Sequence, residues 1–112
     1  MSPVAAVEDV LTALADPTRR SLLEQLSIYG TATATTLAEA VPISRQAVVQ
    51  HLAVLDSVGL VAANRMGRER RFEVRTERLT EAAKWMEGLA ARWDQRLATI
   101  KRLAEMGETD LS

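Results

Sequence analysis

Apolar positions fall first at helical spacing, then briefly at alternate positions, then at helical spacing again. Val4, Val7, Val10 or Leu11, and Leu14 recur three or four apart, which predicts a first helix that stops before Asp16-Pro17. Asp16 suits an N-cap and Pro17 the first position of a second helix, whose stripe of Leu22, Leu23 and Leu26 ends near Gly30. Leu37, Ala38 and Val41 belong to a short third helix, stopped by Pro42 because proline disfavours helical geometry in the residue before it. Ser44 then caps a fourth helix, Arg45 to about Val58, with Val48, Leu52 and Leu55 on one face and Gly59 able to end it in a left-handed turn. From Leu60 to Arg75 the period becomes alternating and predicts a β-hairpin: Val61, Phe72 and Val74 point inward, the arginines face solvent and Gly67 supplies the turn's positive φ. Helical spacing resumes at about Glu77 through Leu79, Ala83, Met86, Leu89, Trp93, Leu97, Ile100 and Leu103, a long run for a single-domain helix.

The expected fold is therefore mainly α with a small β-hairpin. Helices separated by a tight turn at Val41 to Ser44 and followed by a basic hairpin match a winged helix-turn-helix in order and spacing. The 112 residues read as one domain, 1–112, with a reading part at about 16–75 and terminal helices at about 4–14 and 77–107. A chain of this length buries roughly 60–70% of its unfolded surface, so it needs neither disulfides nor a structural metal. It has no cysteine and one histidine, His51, which excludes thiolate metal sites, redox switches and any multi-histidine site within the chain. No run reaches about 18 apolar residues and no basic segment precedes an apolar one at the N-terminus, so a cytoplasmic protein is expected.

The formal charge of −1 argues against a polyanionic partner until it is divided along the chain. Residues 1–43 hold Arg19 and Arg20 against five acids, a net of −3, and residues 76–112 carry −1. Between them, Arg45, Arg65, Arg68, Arg70, Arg71 and Arg75 face only Asp56, Glu69 and Glu73, a net of +3. All these cations are arginine, whose planar fork suits phosphates and guanine edges; the plainer reading is a solvated basic hairpin.

A helix-turn-helix inserts its second helix into the major groove, which turns Ser44, Arg45, Gln46, Val49 and Gln50 toward base edges and phosphates. Arg45 then pairs with guanine, Gln46 or Gln50 with adenine, Val49 packs on a thymine methyl, and Ser44 or His51 reaches a phosphate. The hairpin arginines Arg65, Arg68, Arg70 and Arg71 lie over the backbone or the minor groove. Each has a duller alternative: Gln46 and Gln50 as exposed helix formers, Ser44 as a cap, His51 as a half-buried packing residue. Arg19 and Arg20 oppose the dipole at the start of the second helix, which calls for a compensating partner, either Asp16 or a phosphate, and the ion pair is favoured for at least one of them.

Three segments, Asp16-Pro17-Thr18-Arg19, Ser44-Arg45-Gln46-Ala47-Val48-Val49-Gln50-His51-Leu52-Ala53-Val54-Leu55 and Gly59-Leu60-Val61, resemble the ArsR/SmtB family of bacterial transcriptional repressors over roughly residues 5–105. The resemblance implies a homodimer of five helices with a two-stranded wing between the fourth and fifth. The fourth helix of each subunit would read half of an inverted repeat in double-stranded DNA, with possible autoregulation. Where family members commonly set a serine on the DNA, this chain has Val49, which implies a different base preference. Metal-sensing members place cysteines in the helix corresponding to residues 35–41, or carboxylates and histidines in the last helix. The chain is more similar to the cysteine-free branch, with no metal or cofactor implied.

The stripe of Met86, Leu89, Trp93, Leu97 and Ile100 is too long for a small three-helix core to bury, and a second subunit, with Val7 and Leu11 of the first helix alongside, is the simplest cover. Trp85 and Trp93 either anchor that interface or line a pocket for an unknown small apolar inducer. A second reading is a winged-helix protein-interaction module without specific DNA binding. An enzyme is the weakest, since no nucleophile and base, phosphate loop or metal constellation is present.

Overall fold

The computed structural model describes the backbone of residues 3–111 and the side chains of residues 6–107; the expected role of Val4 lies outside the described side chains. The elements run α1 (Pro3–Leu14), α2 (Pro17–Tyr29), α3 (Ala34–Ala40), α4 (Arg45–Ser57), β1 (Val61–Met66), β2 (Glu69–Val74) and α5 (Glu77–Leu111), a winged helix-turn-helix. Two compact units divide the chain, Met1–Ala82 and Ala83–Ser112.

In the first unit several helix boundaries have a local cause. The Asp16 carboxylate accepts the Thr18 and Arg19 amides at 2.7 and 3.3 Å, and Pro17 opens α2 where its missing N–H costs nothing. Gly30, at φ 79°, ends that helix and its N–H reaches the Leu26 carbonyl at 2.8 Å. Val41 is not helical, as the spacing had suggested, but extended (φ −115°, ψ 129°), as the residue before Pro42 should be. Thr33 caps α3 through the Thr36 amide and Ser44 caps α4 through the Ala47 amide.

The arginines opening α2 have an unexpected task. Arg19 Nε donates to the Ala13 carbonyl at 2.6 Å and Arg20 Nη1 to the Leu14 carbonyl at 2.6 Å, while Arg19 also pairs with Asp16 at 3.6 Å. These are carbonyls that the end of α1 leaves without an intrahelical partner. The guanidiniums that oppose the dipole of α2 thus complement the negative end of α1.

Leu22 and Leu26 of α2, Leu37 of α3, Val48, Leu52 and Leu55 of α4, and Leu60 and Val61 are fully buried, joined by Val10 of α1, Phe72 of β2 and Ala82 of α5. Val7, expected at an interface, is 5% exposed and belongs to this core, so its surface is already covered within the chain. The antiparallel hairpin sets Val61 opposite Val74, Ala63 opposite Phe72 and Arg65 opposite Arg70. Gly67, at φ 65°, and Arg68 make the two-residue turn; the positive φ at the first position only is the pattern of a type II′ turn. Phe72 also exchanges two backbone hydrogen bonds with Ala32, at 2.8 and 3.1 Å, fastening the hairpin to the α2–α3 loop.

The second unit is the helical run 83–111 of α5. Every described side chain from residue 90 onward is exposed within the chain, including Trp93, Leu97, Ile100, Leu103 and Met106. Arg96 lies over the Trp93 ring at 5.9 Å. Among the described residues no helix is long and apolar enough to cross a membrane.

Candidate nucleic-acid interface

Because α4 buries Val48, Leu52 and Leu55, its other face must be open; Arg45, Gln46, Val49, Gln50 and Ala53 are all exposed there. The side chains of Gln46 and Gln50 make no hydrogen bond with the described residues, so their amides retain full donor and acceptor capacity. Ser44 spends an Oγ lone pair on its cap at 3.1 Å and keeps its hydroxyl proton for another acceptor.

Strand alternation decides which arginines meet this face. Residues opposite each other share a side of the sheet, so Val61, Ala63 and Arg65 lie with Val74, Phe72 and Arg70 on the side turned toward α4. A groove of about 680 Å³ runs between that side, α3 and α4, lined by Thr33, Thr35, Arg45, Val49, Arg68 and Arg70 among others. It continues past Val49, Ala53 and Phe72 to Asp56 and Ser57. Arg70 is held over the Phe72 ring at 5.3 Å, and Arg45 Nε donates to Thr35 Oγ1 at 3.2 Å. Arg65 and Arg68 have no ion-pair partner among the described residues.

Arg71 is set apart. One step along the strand from Arg70, it lies on the opposite side, bound to Glu69 at 3.1 Å and to Thr31 Oγ1 at 3.3 Å. It is therefore not brought together with the groove arginines expected beside it. His51 is half-buried and is not part of the groove lining; its charge acts on Asp16. Burial pushes the Asp16 carboxyl upward, but the Arg19 and Thr18 amides, the Arg19 guanidinium and His51 together hold it below the usual carboxylate range. Among the described residues no group of three or more His, Cys, Asp or Glu could hold a metal ion.

Thr33 and Thr35 were missed by sequence reasoning. For Thr33 a signal was present, since a threonine just ahead of an apolar stripe is an N-cap candidate.

Residues 14–62 match the model of a helix-turn-helix domain. The transcriptional repressor SdpR of Bacillus subtilis is 31% identical over 80 residues, 71% of this chain and 88% of SdpR. An ArsR-like transcriptional regulator from Rhodococcus sp. RHA1 superposes with a TM-score of 0.81 at 39% identity, over 90% of this chain and 94% of its own. The chain belongs to the ArsR family of transcriptional regulators. A further family neighbour, a homodimeric winged helix-turn-helix DNA-binding domain from Mycobacterium bovis, superposes with a TM-score of 0.62 at 26% identity, covering 84% of this chain and 83% of that one. As an ArsR-family member the protein is a DNA-binding transcriptional regulator and not an enzyme, and it is one without cysteine.

Proposed function

We propose that this ArsR-family regulator is a sequence-specific repressor acting as a homodimer on an inverted-repeat operator, with α4 of each subunit in one major groove. The observation that carries this reading is the shared groove: the open polar face of α4 stands beside Arg68 and Arg70 of the wing, with Arg65 adjoining. Phosphate contacts of that kind fix the register in which base edges are read. Gln46, Val49 and Gln50 face the bases, Ser44 reaches a phosphate, and the wing follows the backbone.

Dimerisation rests on α5. A run of Met86, Trp93, Leu97, Ile100 and Leu103 exposed along one chain is more apolar surface than a monomer usually leaves in water. A twin covers it, and a homodimer is also what the mycobacterial neighbour forms. Residues 16–75 are then the reading part and 77–107 the association part, while Trp85 and Trp93 serve as interface anchors. The name of SdpR supports repression over activation.

Light scattering and footprinting test the proposal together. The expected result is a dimer protecting two half-sites about 34–36 Å apart, one helical turn. A monomer that protects no sequence would instead support a protein-interaction module.

A further inference from the structure

We propose that Arg45, Thr35 and Arg70 form a clamp on one DNA strand's phosphates, so that Arg45 positions the protein and does not read guanine. This deepens the DNA-binding reading and rests on it.

Arg45 is the first residue of α4, the place from which a recognition helix usually reaches a base. Its side chain turns instead toward α3, where Nε is engaged by Thr35 Oγ1 at 3.2 Å, and it lines the same groove as Arg68 and Arg70. Bidentate reading of guanine needs the guanidinium fork laid in the plane of the base pair, and the bond from Nε to the preceding helix competes with that pose.

The opposite wall of the groove is arranged for an anion. Arg65 and Arg70 stand directly opposite on neighbouring strands, where like charges repel. Phe72 holds Arg70 in place from below. Glu69 is the one carboxylate in the lining that Arg45, Arg68 and Arg70 share, and Arg71, on its own side of the hairpin, already pairs with it. This part of the groove thus carries three guanidiniums, the threonines Thr33, Thr35 and Thr36, and a single carboxylate that Arg71 already pairs, while Asp56 lies in its continuation. A phosphodiester relieves the Arg65–Arg70 repulsion and accepts from Arg45 and the Thr35 hydroxyl together. With the arginines occupied in this way, base reading falls to Gln46, Val49 and Gln50.

The test titrates the full-length protein with a duplex selected from a random pool and with a scrambled duplex of equal length, across a range of salt. Arg45→Ala should weaken both complexes by the same factor, within about twofold, and lower the slope of log K against log salt by about 0.9, one phosphate contact. Thr35→Val should weaken both equally and Thr35→Ser should restore them. Gln50→Ala, by contrast, should weaken only the selected duplex. An Arg45→Ala variant that loses about tenfold or more of its preference for the selected duplex while holding the scrambled one unchanged would overturn the clamp alone. Wild-type protein that binds neither duplex would overturn the clamp and the DNA-binding reading together.

Discussion

Asp16 shows how much one side chain settles. It caps α2 through two amides, pairs with Arg19 and feels the charge of His51, and the combination holds its carboxyl below the usual range. A carboxyl depressed in the folded state contributes stability above its unfolded pKa and loses it as pH falls through the folded one. Asp16→Asn keeps the cap acceptor and removes the charge, so its deficit in thermal midpoint relative to wild type should be largest at neutral pH and vanish in acid, as calorimetry across that range will show. Gly59 makes a second case: its φ is +79°, and an added Cβ would meet Arg78 Cγ at 3.2 Å. Gly59→Ala should cost about 1–2 kcal/mol in urea unfolding with an unchanged m value. The caps at Asp16 and Ser44 and the left-handed glycines were legible in the sequence because their chemistry is confined to a few neighbouring residues. The bonds from Arg19 and Arg20 to α1 were not, since they depend on how the chain folds back between two helices.

Among the elements, α4 and the hairpin were both foreseen, and their boundaries held to within a residue. What the alternating pattern left unresolved was the function of neighbouring arginines. Arg70 and Arg71 looked equivalent in the sequence, yet the register sends one toward α4 and the other into a pairing with Glu69 and Thr31. Arg70→Ala should therefore reduce affinity for operator and scrambled DNA alike and lower the salt slope by about 0.9. Arg71→Ala should leave that slope unchanged and act instead on the fastening of the wing to the α2–α3 loop. Anisotropy titrations at several salt concentrations separate the two. The Ala32–Phe72 bridge that completes this fastening joins residues forty apart through a single backbone pair, too little for any periodicity to reveal.

For the whole molecule, the decisive feature is the apolar surface of α5. The length of its stripe was legible, because the helical spacing persists far beyond what one small core can absorb. The part assigned to Val7 was not, because spacing alone does not say whether an apolar residue of α1 faces its own core or a neighbour, and here it faces the core. Trp93→Glu together with Ile100→Glu should convert a dimer to a monomer by light scattering, leave the helical circular dichroism in place, and reduce operator affinity far more than affinity for scrambled DNA. The division of charge has the same scale: the chain is net −1, yet residues 44–75, which hold α4 and the wing, carry +3.

The most direct test of the central claim is a mobility-shift titration of the protein against the DNA upstream of its own gene and against the same bases scrambled. The account predicts a complex on the native sequence tighter by about a thousandfold or more. Equal affinity for the two would contradict it.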